Sequence, residues 1–281
     1  MPLETKIYQR GNSLSLVKLI KDSLKDLYSS RFLARQLATR DIKSQYRQSL
    51  LGVFWSFAGP LSTAIIWIFL NNSGAVGLDD TGVPYALFVF CGTLMWSTLK
   101  DSINMPLAAT KGATGIMSKI NFPKEALILS GVYKQVFNSL FKFVLMVVLL
   151  IFYQVIPSWS LLFFPLTFLI LILVGVSFGL LITPIGMLYT DVAKAISMLM
   201  GFVMYLTPVV YVIPKEGFLK QLMELNPLTP LLEVNRSVLL GIDTEFLNYF
   251  IGLSFGMLPL FLIALAVYRV SIPVIIERLS A

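Results

Sequence analysis

Residues 39–60 read TRDIKSQYRQSLLGVFWSFAGP. The first half of this stretch is basic and amphipathic, and the second half enters the first long apolar run of the chain. The change at Ser49-Leu50 reads as the point where a helix lying on a membrane surface gives way to a segment turning into the bilayer. Working back from it, Phe32, Leu33, Leu37, Ile42 and Tyr46 recur on or near one helical face. Arg31, Arg35, Arg40, Lys43 and Arg47 supply the charge. A basic amphipathic helix over residues 29–48 suits the headgroup plane, where each Lys or Arg gains about 1 kcal/mol from anionic lipid. The same pattern would also serve as a docking surface for a partner subunit.

The whole chain supports a membrane setting. Of its 281 residues 57% are hydrophobic and 13% charged, with a mean hydropathy of +0.80. A soluble domain is about 45–50% apolar and about 25% charged, so this apolar surface exceeds what one aqueous core can bury, and lipid is the expected solvent. The chain has no His, and its one Cys, Cys91, lies in an apolar run. That excludes a disulfide framework and a Cys/His zinc site. Residues 1–30 hold no apolar core followed by a small-residue cleavage site, so no cleaved signal peptide is expected. Residues 1–28 read as a loosely ordered cytoplasmic tail with a short helix at Leu14–Ile20.

Six segments approach the ~20 apolar residues that a span requires. They are Gly52–Leu70, Gly82–Leu99 (ending at Lys100-Asp101), Gln135–Ile156, Leu161–Leu188, Ala195–Ile213 and Phe246–Tyr268. Pro60, Pro208 and Pro259 predict kinks whose freed backbone groups must be satisfied by neighbouring helices. Lys and Arg set the orientation. Ten precede the first span: Lys6, Arg10, Lys18, Lys21, Lys25, Arg31, Arg35, Arg40, Lys43 and Arg47. The next loop has none, only Asp79 and Asp80; the one after has Lys100, Lys111, Lys119, Lys124 and Lys134. The following loop again has none, then comes Lys194. The long loop after the fifth span mixes Lys215, Lys220 and Arg236 with five carboxylates, and the tail has Arg269 and Arg278. This alternation predicts both termini in the cytoplasm.

Two segments exceed simple loops. The stretch from Lys100 to Lys134 contains KGATGIMSKINFPKEALIL, with a partly apolar face and a break at Phe122-Pro123. It suits either an interfacial helix under the bundle or an element gripped by a cytosolic motor. On the other side, LNPLTPLLEVNRSVLLG over residues 225–241 is too short to span and too apolar for a free loop. A re-entrant or interfacial hairpin fits, with Glu233 and Arg236 spaced to pair on one helical face.

No G-x-x-x-x-G-K-[ST] is present, so a P-loop nucleotide site is not expected in this chain. There is no G-x-S-x-G and no metal cluster, and the missing His removes the usual general base. The spans carry no carboxylate relay of the kind a proton-coupled carrier keeps. One intramembrane charge remains, Lys142, about 12 Å along a helix from Lys134. Snorkelling to the cytoplasmic interface is the first expectation, and facing a wet pathway the second; there it would suit an anionic lipid-linked substrate. Aromatic residues at span ends form interfacial belts or a lining on which sugar rings stack. With Lys142, the pathway candidates are Trp55, Tyr85, Phe88, Trp96, Tyr205 and Tyr211.

The opening stretch also resembles the entry segment of type 2 ABC-exporter permeases of the polysaccharide group, which export O-antigen, capsule and teichoic acid, with the Wzm type nearest. That family's pattern falls on Arg40, Asp41, Lys43, Tyr46, Arg47, Gln48, Leu51, Gly52, Trp55 and Pro60. Further similar pieces are Val83-Pro84-Tyr85 with Gly92 and Trp96, Lys119 to Pro123, Tyr189-Thr190-Asp191-Val192, Pro208-Val209-Val210-Tyr211, and Leu225-Asn226-Pro227 to Gly241. Thr190 stands where the family usually has Arg, and Gly59 where it commonly has Gln.

The resemblance implies an all-α, six-span permease over residues 49–270 with N-in/C-in topology, a preceding interface helix, an outer hairpin between spans five and six, and a cytoplasmic tail at 271–281. It implies a homodimer in the bacterial inner membrane with two copies of a separate cytosolic ATP-binding subunit, which would hold ATP and Mg; no cofactor, metal or catalytic residue is expected here. The cargo would be a lipid-linked glycan on undecaprenyl diphosphate. Coupling to the ATPase would fall to Arg35, Arg40, Asp41, Lys43, Arg47, Ile116, Lys119, Phe122 and Pro123. The outer gate would include Asn226, Pro227, Glu233 and Arg236. Competing expectations are a related permease for drugs or lipids, an ATPase-independent channel, and a membrane enzyme, for which no polar catalytic cluster is visible.

Overall fold

Between Leu87 and Leu99 every residue except Ser97 is buried, and this segment is the axis of the fold. A computed structural model describes residues 15–47, 51–74, 80–117, 119–120 and 122–280. Among these the regular elements are all helical: α1 (Leu16–Ser29), α2 (Arg31–Arg47), α3 (Trp55–Asn72), α4 (Tyr85–Met117), α5 (Glu125–Phe152), α6 (Phe164–Leu188), α7 (Asp191–Val203), α8 (Phe218–Leu225), α9 (Leu228–Leu240) and α10 (Leu247–Ser280), with short 3-10 turns. The Ser49-Leu50 switch, Gln48, Asp79 and the first 14 residues lie outside the described residues.

Helix α4 packs against α3, α5, α6, α7 and α9, and α10 covers the far side of α6. The α4–α6 contact is close because α6 presents glycines to it. A Cβ on Gly179 would sit 2.4 Å from the Ile103 carbonyl oxygen, and one on Gly175 2.5 Å from Ser102 Cβ. In lipid, where no hydrophobic drive brings helices together, such small-residue seams let backbones approach. Gly179→Leu is therefore expected to destabilise the fold by about 1–3 kcal/mol through overpacking. Gly252→Ala on α10, where no neighbour lies within 4 Å, should be neutral. Thermal unfolding of the two variants in detergent checks this; equal midpoints would refute the seam.

Several boundaries differ from the sequence expectation. Helix α4 does not end at Lys100-Asp101 but runs on to Met117. Asp101 finds a partner in Lys142, and the buried positions Ser102, Ile103, Pro106, Leu107, Thr110, Ala113 and Met117 continue a helical period. Helix α5 begins at Glu125, ten residues before the expected span. The stretch from Lys100 to Lys134 is thus no separate interfacial helix. It is the end of α4, a break around Phe122-Pro123 and the start of α5. The fifth expected span stops as α-helix at Val203 and, after one 3-10 turn, is unwound through Ile213. Helix α10 continues through the expected C-terminal tail to Ser280.

The N-terminal tail is likewise more ordered than expected, since α1 extends to Ser29 and packs on α10 and α5. Its Asp26 carboxylate accepts a bond from Arg269 on α10 at 2.7 Å, and the same guanidinium donates to Glu125 at the start of α5. Helix α2 lies along α5 with Ala34 and Ala38 buried, and of the predicted face Leu37, Ile42 and Tyr46 are half-buried while its first two residues are not. Phe32 points outward at 71% exposure, and Leu33 is also exposed. Small residues win that position because they let the two helices come close. Tyr46 then fixes the register, its hydroxyl donating to Asn138 Oδ1 at 2.8 Å and sharing a bond with Ser56 Oγ at 3.0 Å.

By length and composition, three segments among the described residues can cross a membrane: Glu125–Phe152, Trp159–Leu188 and Leu247–Arg278.

Candidate functional site

Lys142 lies on α5 with 4% of its side chain exposed. It does not snorkel outward. Its ammonium turns into the bundle and donates to Ser97 Oγ at 3.0 Å and Asp101 Oδ2 at 3.2 Å, both on α4. A buried ammonium needs such partners, and it takes them across the helix interface. Around this pair is an open groove of about 450 Å³ between α3, α4 and α5 and the end of α7. Trp55, Trp96, Ser56, Ser62, Thr63, Thr93 and Lys100 line it with Lys142. Pro60 lies inside the α3 wall, and its carbonyl accepts from Thr93 Oγ1 at 3.2 Å. The groove therefore combines hydroxyls, indole faces, two ammonium groups and the Asp101 carboxylate paired with one of them.

A second constellation surrounds the unwound segment after α7. Arg236 on α9 is fully buried. Its Nη2 donates to the carbonyls of Pro208 and Val209, each at 2.8 Å, and its Nη1 to Glu233 Oε1 at 2.6 Å. The guanidinium lies 3.8 Å over the Phe88 ring centroid. Tyr85 Oη donates to the Val210 carbonyl at 2.9 Å. Asn226 Nδ2 donates to the Leu206 carbonyl and to Thr207 Oγ1, each at 2.9 Å, while its Oδ1 accepts from the Leu228 backbone N–H and so caps α9. Carbonyls that an α-helix would have satisfied internally are thus held by side chains from α4, α9 and the turn before α9.

The predicted pathway and outer-gate residues therefore sort differently from expectation. Trp55, Trp96 and Lys142 share the groove. Tyr85, Phe88, Glu233, Arg236 and Asn226 converge on residues 206–210 instead. Tyr205 is exposed and its carbonyl accepts from the Tyr211 hydroxyl; Pro227 is exposed at the start of α9. Gly92 belongs to the same clamp, since a Cβ there would lie 1.9 Å from the Val209 oxygen and 2.5 Å from Arg236 Nη2. Its role was not visible without knowing which strand of backbone passes over it.

A third feature lies where α2 meets α4 and α5. Arg40 and Asp41 from α2, Gly112 and Ala113 from α4, and Leu127 and Lys134 from α5 line one cavity of about 370 Å³. The two stretches expected to meet a motor are thus neighbours, although 72 residues separate Arg40 from Gly112. Arg40 and Asp41 pair through Nε and Nη2 at 2.9 and 2.8 Å. Arg35, Lys43, Arg47, Lys119 and Pro123 are exposed, and Ile116 and Phe122 are half-buried. Lys124 donates to the Phe122 carbonyl at 3.0 Å, and burial pulls its ammonium below the usual lysine range, offset by Glu125. Sequence reading missed Glu125, Asp26, Arg269, and the buried Tyr268 hydroxyl, which shares a bond with Thr110 at 2.8 Å. Their partners lie far away in the chain, so no local pattern announces them.

The ABC-2 type transporter family matches this chain over residues 33–240. The chain is also similar to the O-antigen export system permease protein RfbA of Myxococcus xanthus, 26% identical over 74% of this chain and 80% of that protein. Two Klebsiella pneumoniae proteins of the same name are 24% identical over 83% of this chain and 91% of theirs, and 25% identical over 67% and 73%.

Proposed function

The chain belongs to the ABC-2 type transporter family, and from that premise we propose that it is the permease subunit of an ATP-driven exporter of a lipid-linked polysaccharide. It is a transporter permease and a multi-pass membrane protein. In the proposed assembly α3, α4, α5, α6, α7 with its unwound extension, and α10 are six spans. Both termini are cytoplasmic, and α8–α9 form an outer hairpin in the bacterial inner membrane. Residues 49–270 make the permease domain behind the interface helix. Two copies of the chain flank a shared path, and two ATP-binding subunits hold the nucleotide and Mg. The cargo is an O-antigen-like glycan on undecaprenyl diphosphate, taken from the cytoplasmic side.

The observation that carries this reading is the groove at Lys142. An ammonium set among hydroxyls and two Trp faces suits an anionic glycolipid: phosphate oxygens accept from the ammonium, and pyranose C–H faces lie on indole. Helix α4 connects it to the proposed motor face. It runs for 33 residues, about 50 Å at ~1.5 Å per residue, from Tyr85 at the unwound segment past Gly112 and Ala113 at the α2 cavity to Met117. A push on α2 and the Phe122-Pro123 turn would reach both the groove and the clamp through this one helix.

The test is purification of the tagged chain from its native membrane. A two-plus-two complex with a P-loop subunit is expected, with ATPase activity that responds to the glycolipid and is uncoupled by Lys119→Ala or Phe122→Ala. Isolation as a lone species whose transport survives ATP depletion would overturn the proposal.

A further inference from the structure

Helix α1 has more apolar surface than the fold covers. At about 100° per residue, Leu19, Ile20, Ser23, Asp26 and Leu27 face the bundle, and all are buried or half-buried. The apolar arc continues past that contact. Val17, Leu24 and Tyr28 are exposed, at 75%, 45% and 72%. Beside them on the outward face lie Lys18, Lys21 and Lys25, all exposed. Both acids of α1, Asp22 and Asp26, sit toward the packed side, and Asp26 is engaged by Arg269. The outward edge is therefore apolar along one margin and cationic along the other. At the corner with α2, Arg31 stacks 4.3 Å over the Tyr28 ring, and Phe32 extends the exposed apolar margin.

We propose that this outward edge of α1, from Val17 through Tyr28 to Phe32, is a contact surface for a bilayer carrying anionic headgroups. Three observations choose lipid as the occupant. The free charge on the edge is of one sign, complementary to anionic phospholipid. Exposed Leu, Val, Tyr and Phe beside Lys are the composition of a helix lying in the interfacial plane, whereas the cores of protein interfaces are depleted of Lys. The Asp26–Arg269 bond also fixes α1 beside residues 267–274 of α10, where Val267, Val270 and Val274 are exposed on a helix apolar enough to span. Helix α1 therefore sits against a helix whose exposed surface lipid itself must cover. The helix is thus pinned to the bundle on one side by an ion pair and to the leaflet on the other.

The test uses the full chain with Leu24→Cys, labelled with an environment-sensitive fluorophore; Cys91 is buried and does not compete. Labelled protein is placed in nanodiscs of phosphatidylglycerol with phosphatidylcholine, and in phosphatidylcholine alone. The expected result is blue-shifted emission, quenched by headgroup-region spin-labelled lipid, in the anionic discs. Combining Lys18→Gln, Lys21→Gln and Lys25→Gln should reduce that quenching about threefold, to the level seen in phosphatidylcholine. The three lysines are exposed, so the variant keeps its fold, which its gel-filtration profile confirms. Emission that stays water-like in both lipids would overturn the proposal. So would shielding that is absent in lipid and arises only when a cytosolic ATPase subunit is added, because the surface would then belong to a protein.

Discussion

Arg236→Gln is expected to lower the thermal midpoint of the detergent-solubilised chain sharply and to abolish export, and Gly92→Ala is expected to do the same from the opposite side of one contact. The arginine is the largest fully buried side chain in the structure, and one guanidinium satisfies the Pro208 and Val209 carbonyls and the Glu233 carboxylate. Removing one partner of a buried pair typically costs about 3–5 kcal/mol, because the other charge is left without compensation. Here two carbonyls of the unwound segment lose their donor as well. Gly92→Ala leaves every donor in place, but its methyl would overlap the Val209 oxygen, so the segment must lift off α4. The two variants should therefore resemble one another, and their combination should be less than additive, since both break the same contact. A double-mutant cycle on thermal unfolding measures this. Simple additivity would mean that Arg236 and Gly92 do not act on one clamp.

Asp101→Ala is expected to destabilise the chain more than Lys142→Met does, although Lys142 is the buried member of the pair. Asp101 is 53% exposed on its side chain and Lys142 only 4%. Deleting Asp101 strands an ammonium inside the bundle with Ser97 as its remaining side-chain partner, a loss of roughly 1–3 kcal/mol. Deleting Lys142 returns the carboxylate to a half-solvated edge, and a Met of similar length fills the space, which is often neutral for stability. Export follows the reverse order if the groove holds an anionic cargo. Lys142→Met should lose about tenfold or more in rate, equivalent to ~1.4 kcal/mol in the barrier, while remaining folded. Thermal midpoints and the appearance of surface glycan measure the two effects separately. Stability equal to the parent in Asp101→Ala would show that Lys142 is not desolvated; full export in Lys142→Met would remove the lysine from the transport path.

Much of this arrangement was legible in the residues. The apolar runs named segments that the structure forms as helices, the Glu233–Arg236 spacing named a pair that forms, and Lys142 stood out as a charge with no local company. The glycine seam of α6 at Gly175 and Gly179 was not read in advance, because its partner on α4 is not visible in the sequence. Lys100-Asp101 looked like a helix end because charge next to an apolar run ordinarily marks an interface. The helix continues because Asp101 is answered from α5, 41 residues further on. Similarly, the polar composition of α1 suggested a loose tail, and only Arg269, 243 residues away, explains why it is docked.

The sequence alone determined that this chain is helical and membrane-embedded, and where most of its helices lie. Hydropathy and helical period are sums over neighbouring residues, and neighbours are what a sequence displays. Tertiary structure decided which polar groups are answered and by whom. Lys142 turns inward to Asp101 and Ser97, residues 206–210 unwind because Arg236, Tyr85 and Asn226 hold their carbonyls, and α2 docks through Ala34 and Ala38. A polar group away from water is tolerated only with a partner in bonding distance, and that distance is set by how distant helices pack.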